Sequence, residues 1–156
     1  AGTKRQLVGV YNDRSAALLA EAAAYLEMER VCFICTGDRR DEITLDEPTK
    51  VFEYKAGEEV RKFELNATDL GLQPAKIENL LGDGPEENAR ILFDILNGKD
   101  RGDRYSVTIA NSAMALYSAG VSGDLEDCRE IAEESLLSGN ALAKLNQLRE
   151  LSRKAA

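Results

Sequence analysis

The chain has 156 residues, 44% of them apolar and 31% charged, a size that can bury roughly two-thirds of its unfolded surface in one core without disulfides or metals. Its 20 Lys and Arg against 28 Asp and Glu leave a net charge of −8, which speaks against a nucleic-acid or membrane-surface binder, since both need a positive field. With no histidine, Ser-His-Asp and Cys-His nucleophiles and His-ligated metals are excluded, and any chemistry must run on carboxylates, Lys, Arg, hydroxyls, thiols or backbone amides.

The opening AGTKRQLVGVY carries no initiator Met and enters an apolar strand almost at once, which points to the removal of something upstream. Residues 6–11 (QLVGVY) predict a buried strand, and Asn12 or Asp13 then caps a helix over 15–28, with Leu18, Leu19, Ala22, Ala23 and Leu26 on one face. Residues 31–36 (VCFICT) predict a second strand, an unbroken apolar run such as a central parallel strand shows when helices cover both faces. Strand, helix, strand in this order is a βαβ unit. The polar stretch 37–48 leaves the second strand as a loop, and residues 49–55 and 59–65 then predict a hairpin turning at Ala56-Gly57-Glu58.

The period changes in the second half. Asp83-Gly84-Pro85 starts a helix whose stripe is Ala89, Leu92, Phe93 and Leu96, with Gly98 as its stop. A third helix over 103–119 carries Val107, Ala110, Ala113, Met114 and Tyr117 at spacings of three and four. Asp124 and Asp127 resemble a capping box for a fourth, with Leu125, Cys128, Ala132 and Leu136 on one side. After Gly139 a last helix carries Leu142, Leu145, Leu148 and Leu151. The expected fold is one α/β unit over 1–156: a partial parallel sheet with a β-hairpin, flanking helices and C-terminal helices. No apolar run approaches the ~20 residues of a membrane span, the opening residues carry no signal-peptide pattern, and three cysteines suit a reducing compartment, so a cytoplasmic location is expected.

Cys32 and Cys35 form a C-x-x-C, but redox chemistry needs that pair at a helix N-terminus. Inside a strand the spacing sends the two side chains to opposite faces, and with Cys128 they read as packing residues. No complete glycine-rich phosphate loop occurs. Among several adjacent acid pairs, including Asp46-Glu47, Glu86-Glu87 and Glu133-Glu134, position singles out Asp41 and Glu42. They follow the carboxyl end of a parallel strand, the edge where open α/β sheets bind ligands. Two hard oxygen donors there suit Mg²⁺, which takes one or two carboxylates together with waters and phosphate oxygens. Arg39 and Arg40 beside them can contact phosphates or balance the acids.

The opening AGTKRQLVGVYN, the DE of RRDEITLDEPTKVFE, the segment GLQPAKIENLLGDGPEENARILFDILNG, and YSVTIANSAMALYSAG followed by LLSGNALAKL occur here in order. Together they resemble the C-terminal part of the anthranilate phosphoribosyltransferase family over essentially the whole chain. The resemblance implies a nucleoside phosphorylase/phosphoribosyltransferase-like catalytic domain, and an enzyme of tryptophan biosynthesis that moves phosphoribosyl from 5-phosphoribosyl 1-pyrophosphate to anthranilate. It assigns Asp41 and Glu42 as Mg²⁺ ligands, and Asn88 and Asn111 match family asparagines. This sequence departs from the family at Thr36-Gly37, where a His-Gly is usual, and at Asp38-Arg39-Arg40, where the approach to the acids is often glycine-rich. The family's helical domain, glycine-rich pyrophosphate loop and anthranilate contacts precede the part resembled here. The chain alone is therefore expected to be inactive, to associate with the N-terminal portion of the same protein, and to form a homodimer only as part of a complete enzyme. A nucleoside phosphorylase-like relative and a non-catalytic interaction module that kept the fold stay open as alternatives.

Overall fold

The computed structural model describes residues 2–37 and 40–155. Four strands form one mixed sheet in the order β1 (Arg5–Gly9), β2 (Arg30–Cys35), β3 (Thr49–Lys55) and β4 (Arg61–Leu65). β1 and β2 are parallel, joined through α1 (Asp13–Tyr25), whereas β3 is antiparallel to both β2 and β4. The expected parallel character therefore ends at the first pair. A parallel neighbour needs a crossover back to the far edge, and the connection 36–48, with no helix among its described residues, instead turns the chain around at the edge it left.

β2 is buried along its whole length because both faces are covered. Val31, Phe33 and Cys35 pack with Ala16, Ala20 and Ala23 of α1, while Cys32 and Ile34 pack with Ala110, Ala113, Met114 and Tyr117 of α3 (Asp103–Ala119). Cys32 and Cys35 thus lie on opposite faces, as the extended spacing predicts. All three cysteines are free and buried, and burial pushes each thiol upward, Cys35 to about 11. Native protein at pH 8 is expected to leave all three unmodified by iodoacetamide until denaturant is added, as read by mass spectrometry; rapid native labelling would contradict the packing. Because the folded thiols are raised above the ordinary 9.0, the stability they contribute is intact below that pH and is lost as pH rises through their folded values, which for Cys35 is about 11.

The helices show which predicted faces are used. Asn12 caps α1, its Oδ1 accepting from the Ser15 N–H at 2.9 Å. The buried face of α1 is the alanine face, whereas Leu18 and Leu26 are 58% and 68% exposed. Small side chains let the helix lie close on Val31 and Phe33, and the leucine flank finds no cover among the described residues. α2 (Gly84–Leu96) buries Ile95 instead of the predicted Leu92, and on α5 (Asn140–Ala155) Leu148 and Leu151 are exposed. α3 and α4 (Leu125–Leu137) bury the predicted Ala110, Ala113, Met114, Tyr117, Cys128 and Ala132. Asp124 caps α4 through the Glu126 and Asp127 amides, but no capping box closes, since Asp127 instead accepts from the Ser122 hydroxyl at 2.8 Å. Ile95, Tyr105, Ile109 and Ala132 form a second layer that ties α2 and α4 to α3. Two short 3-10 turns, Ala67–Leu70 and Ile77–Asn79, connect β4 to α2 and were not predicted. Among the described residues no helix is long and apolar enough to cross a membrane.

At the amino end of β2 the sheet buries charge. Glu53 of β3 accepts from Arg30 Nε at 2.8 Å and from the Tyr117 hydroxyl at 3.1 Å, with Arg30 Nη2 at 2.7 Å and Lys55 and Arg61 at 3.7 and 3.6 Å. The Arg30 guanidinium lies 3.9 Å over the Tyr117 ring. This cluster is at the opposite edge of the sheet from the loop described next.

Candidate functional site

The carboxyl ends of β1 and β2 lie side by side, and the connection into α1 and the loop 36–48 both leave from that edge. Burial decides how the loop hangs. Ile43 and Leu45 sink into the core with Cys32, Ile34 and Val51, so an Ile-x-Leu spacing inside a polar stretch is a core anchor. That spacing was the available signal, and reading 37–48 as plain loop passes over it.

Polar contacts fix the rest. The Thr36 N–H and hydroxyl both donate to the Arg40 carbonyl at 3.3 Å, closing the base of the loop. The Arg40 guanidinium forks onto the two Asp46 oxygens at 3.0 Å each and reaches Glu47 at 3.5 Å. That hydrogen-bonded guanidinium holds the Asp46 carboxyl below its usual range. From α3, Asn111 grips both backbone groups of Ile43: its Oδ1 accepts from the N–H at 3.0 Å and its Nδ2 donates to the carbonyl at 2.9 Å. On the other side, Gly9 at the end of β1 faces Asp41 so closely that a Cβ there would overlap the Asp41 carbonyl oxygen. Glycine is required at that approach.

Between these anchors Asp41 and Glu42 are exposed and carry no ion pair or side-chain hydrogen bond among the described residues. Asp46 and Glu47, in the same loop, are held by Arg40. Of the two arginines read as contacting phosphates or balancing the acids, Arg40 is bound to these neighbours of the pair, and Arg39 lies outside the described residues. Lys50, another cation at this edge, is 2.6 Å from Asp13 Oδ2; its hydrogen bond holds the Asp13 carboxyl down, and the Cys35 thiol donates to Asp13 Oδ1 at 3.6 Å. Glu42 overhangs an open groove of ≈ 390 Å³ floored by Val107, Thr108, Asn111, Ser112 and Ala115 of α3. A larger groove of ≈ 500 Å³ lies on the next side of α3, against Leu96, Ile131 and Leu136, and has no ionisable lining residue. Asn88 packs over Gly82, just ahead of α2.

The donor set bears on the metal. Among the described residues no three His, Cys, Asp or Glu side chains gather into a cage. Two adjacent uncompensated carboxylates still fit a hard divalent cation that arrives with its own waters and phosphate oxygens, as Mg²⁺ does.

Comparison with known proteins bears on the family and the fold. Residues 1–142 match the glycosyl transferase family, a/b domain. An anthranilate phosphoribosyltransferase from Rubrobacter xylanophilus is 40% identical over 156 residues, which is 100% of this chain and 45% of the relative, and one from Bacillus subtilis is 33% identical over 147 residues, 94% and 43%. The chain thus spans less than half the length of these relatives. Among solved structures, anthranilate phosphoribosyltransferase from Thermus thermophilus superposes with a TM-score of 0.76 at 30% identity, covering 89% of this chain and 40% of that one. The Saccharomyces cerevisiae enzyme in complex with PRPP and Mg gives 0.81 at 29% identity over 91% of this chain and 41% of that one. Its complex with 4-fluoroanthranilate gives 0.82 at 28% over the same shares. With the family matched over nearly the whole chain and the same fold found in solved relatives, this chain belongs to the glycosyl transferase family, in its α/β domain.

Proposed function

We propose that the chain is the C-terminal part of the catalytic domain of an anthranilate phosphoribosyltransferase. In it, Asp41 and Glu42 would hold Mg²⁺ against the pyrophosphate of 5-phosphoribosyl 1-pyrophosphate while the amino group of anthranilate takes the phosphoribosyl group. The observation that carries the reading is the uncompensated Asp41–Glu42 pair at the carboxyl edge of β1 and β2, beside acids that are neutralised. In the reaction the amine nitrogen forms a bond to C1 of the ribose, the C1–O bond to pyrophosphate breaks, and the amine loses a proton. A bound Mg²⁺ would supply charge neutralisation on the leaving pyrophosphate. This chain's own part is to hold two carboxylates in place, an arrangement that needs no protein nucleophile.

The same edge supports a second element of the proposal, that the chain works with an N-terminal portion of the same enzyme. Arg40 and Lys50 are engaged by Asp46 and Asp13, which leaves a role at the phosphates for cations of an N-terminal portion. β1 is paired on one side only, and beside it α1 exposes Leu18, Leu19, Tyr25 and Leu26. An open parallel edge flanked by apolar side chains suits a further strand of the same sheet. A cytoplasmic location and a homodimer of the complete enzyme belong to this proposal; the three unpaired thiols support the first.

The test is an assay for phosphoribosylanthranilate with both substrates and Mg²⁺. The complete protein that carries this chain is expected to form product, and the purified 156-residue chain is expected to form none, even in a single turnover. Product from the chain alone would overturn the divided site, and a complete protein that accepts a nucleobase but not anthranilate would overturn the acceptor.

A further inference from the structure

Asn111 sits in the interior of α3, between the buried Ala110 and Ala113, where a short carboxamide side chain is a poor helix former. Its polar groups are nevertheless used. The carboxamide accepts from the Ile43 N–H at 3.0 Å and donates to the Ile43 carbonyl at 2.9 Å and to the Val107 carbonyl of its own helix at 3.0 Å. A carboxamide paired to both groups of one residue reproduces the pairing of a neighbouring strand, and it sets register as well as distance. The N–H it holds belongs to the peptide that joins Glu42 to Ile43, so the plane that carries Glu42 is oriented directly from α3.

Opposite this grip stands Gly9. Asp41 rests against β1 at a point where no Cβ fits, so the acidic pair lies between a stop on the sheet and a clamp on the helix. Ile43 is buried immediately after the clamp, and Arg40 is hydrogen-bonded to Thr36 immediately before the pair. The two exposed carboxylates therefore project from a span of backbone held at both ends.

We propose that Asn111 is a positioning residue for the Asp41–Glu42 pair, setting the direction in which the two carboxylates meet a divalent cation bound to a phosphate ligand. The proposal rests on the metal reading given above. Partners that orient metal ligands cost about 10–100-fold in affinity when removed, and the same is expected here.

The experiment uses the complete protein that carries this chain, loaded with inorganic pyrophosphate and titrated with Mn²⁺ as a paramagnetic substitute for Mg²⁺, with free Mn²⁺ followed by electron paramagnetic resonance. Hydrogen exchange at the Ile43 amide and along β2 is measured in the same samples. Asn111→Ala is expected to weaken Mn²⁺ binding about tenfold or more and to speed exchange at Ile43 while leaving β2 unchanged. Asn111→Asp, nearly the same shape, keeps an acceptor for the Ile43 N–H but sets a charge against its carbonyl; it is expected to weaken binding as well, and it is the variant read if the alanine form fails to fold. Wild-type Mn²⁺ affinity in a variant with a released Ile43 amide overturns the positioning role. Faster exchange along β2 together with Ile43 overturns it too, by showing a general support of the fold. An Asp41→Asn, Glu42→Gln double variant separates the two levels: if it binds Mn²⁺ as the wild type does, the metal reading fails, whereas if it loses binding and the Asn111 variants do not, only the positioning role fails.

Discussion

Replacing Asp41 by Asn together with Glu42 by Gln is expected to lower Mg²⁺-dependent turnover of the complete enzyme on the order of hundredfold, about 2.7 kcal/mol of transition-state stabilisation, while leaving the fold intact. Both side chains are exposed and make no ion pair or side-chain hydrogen bond among the described residues, so their amides cost the folded state little. The loss should appear in the magnesium dependence: more Mg²⁺ would be needed for half-maximal rate, and the rate at saturation would be lower. Asp46 and Glu47 provide the internal comparison. They are acids of the same loop, but Arg40 holds them, and Asp46→Asn should loosen the loop through the lost fork without removing a metal donor. Steady-state rates across a magnesium titration check the prediction, and an unchanged magnesium dependence in the double variant would count against the assignment.

The second large effect lies at the other edge of the sheet and concerns stability alone. Glu53 is 1% exposed and is the only acid in contact with Arg30 among the described ion pairs; Arg30 itself is 8% exposed beneath the Tyr117 ring. Glu53→Gln keeps the shape and removes the counter-charge, stranding a buried guanidinium, and is expected to cost about 3–5 kcal/mol. Lys55 and Arg61 add to the imbalance, although Arg61 is 60% exposed and can turn into water. Removing both members of the pair, as Arg30→Met with Glu53→Leu, is expected to recover most of that loss, because two well-packed apolar side chains leave no buried charge unmatched. Urea-unfolding midpoints by circular dichroism, at unchanged slope, give the comparison. A Glu53→Gln variant within about 1 kcal/mol of wild type, the net value of one ordinary hydrogen bond, would show that Arg30 finds another partner or water.

The two edges of one sheet thus carry charge in opposite ways. At the amino edge an acid is surrounded by cations and buried; at the carboxyl edge two acids are left exposed while the nearby Arg40 and Lys50 are bound to other carboxylates. Lack of a partner does not by itself set Asp41-Glu42 apart, since Glu58-Glu59 at the hairpin turn is also exposed and unpaired among the described residues; its place at the carboxyl edge of β1 and β2 does.

Much of the fold was legible residue by residue. The helix over 103–119 has the boundaries its 3.6-residue period predicts, flanked by Gly102 and Gly120. The alternation in β2 correctly sent Cys32 and Cys35 to opposite faces, and Asn12 caps α1 as its residue type suggests. The errors share one cause. In α1, α2 and α5 the leucines mark an apolar face, but a face is buried only where a neighbour covers it, and α1 turns its alanines to the sheet. The antiparallel turn of β3 was likewise invisible, because the composition of 37–48 does not say at which edge the chain re-enters the sheet.

By itself the sequence determined the order and kind of the elements, since period, caps and glycine stops act within a few residues of one another. It also located the acidic pair just beyond a strand's carboxyl end. The tertiary structure decided which acids of that loop are engaged by a cation, and what holds the backbone of the others. Arg40 is matched to Asp46 rather than to Asp41 or Glu42, Gly9 yields space to the Asp41 backbone, and Asn111 grips Ile43 across 68 positions of sequence. Contacts of that separation depend on how helix and sheet pack, and packing is settled by burial summed over the whole chain rather than by the residues that make the site.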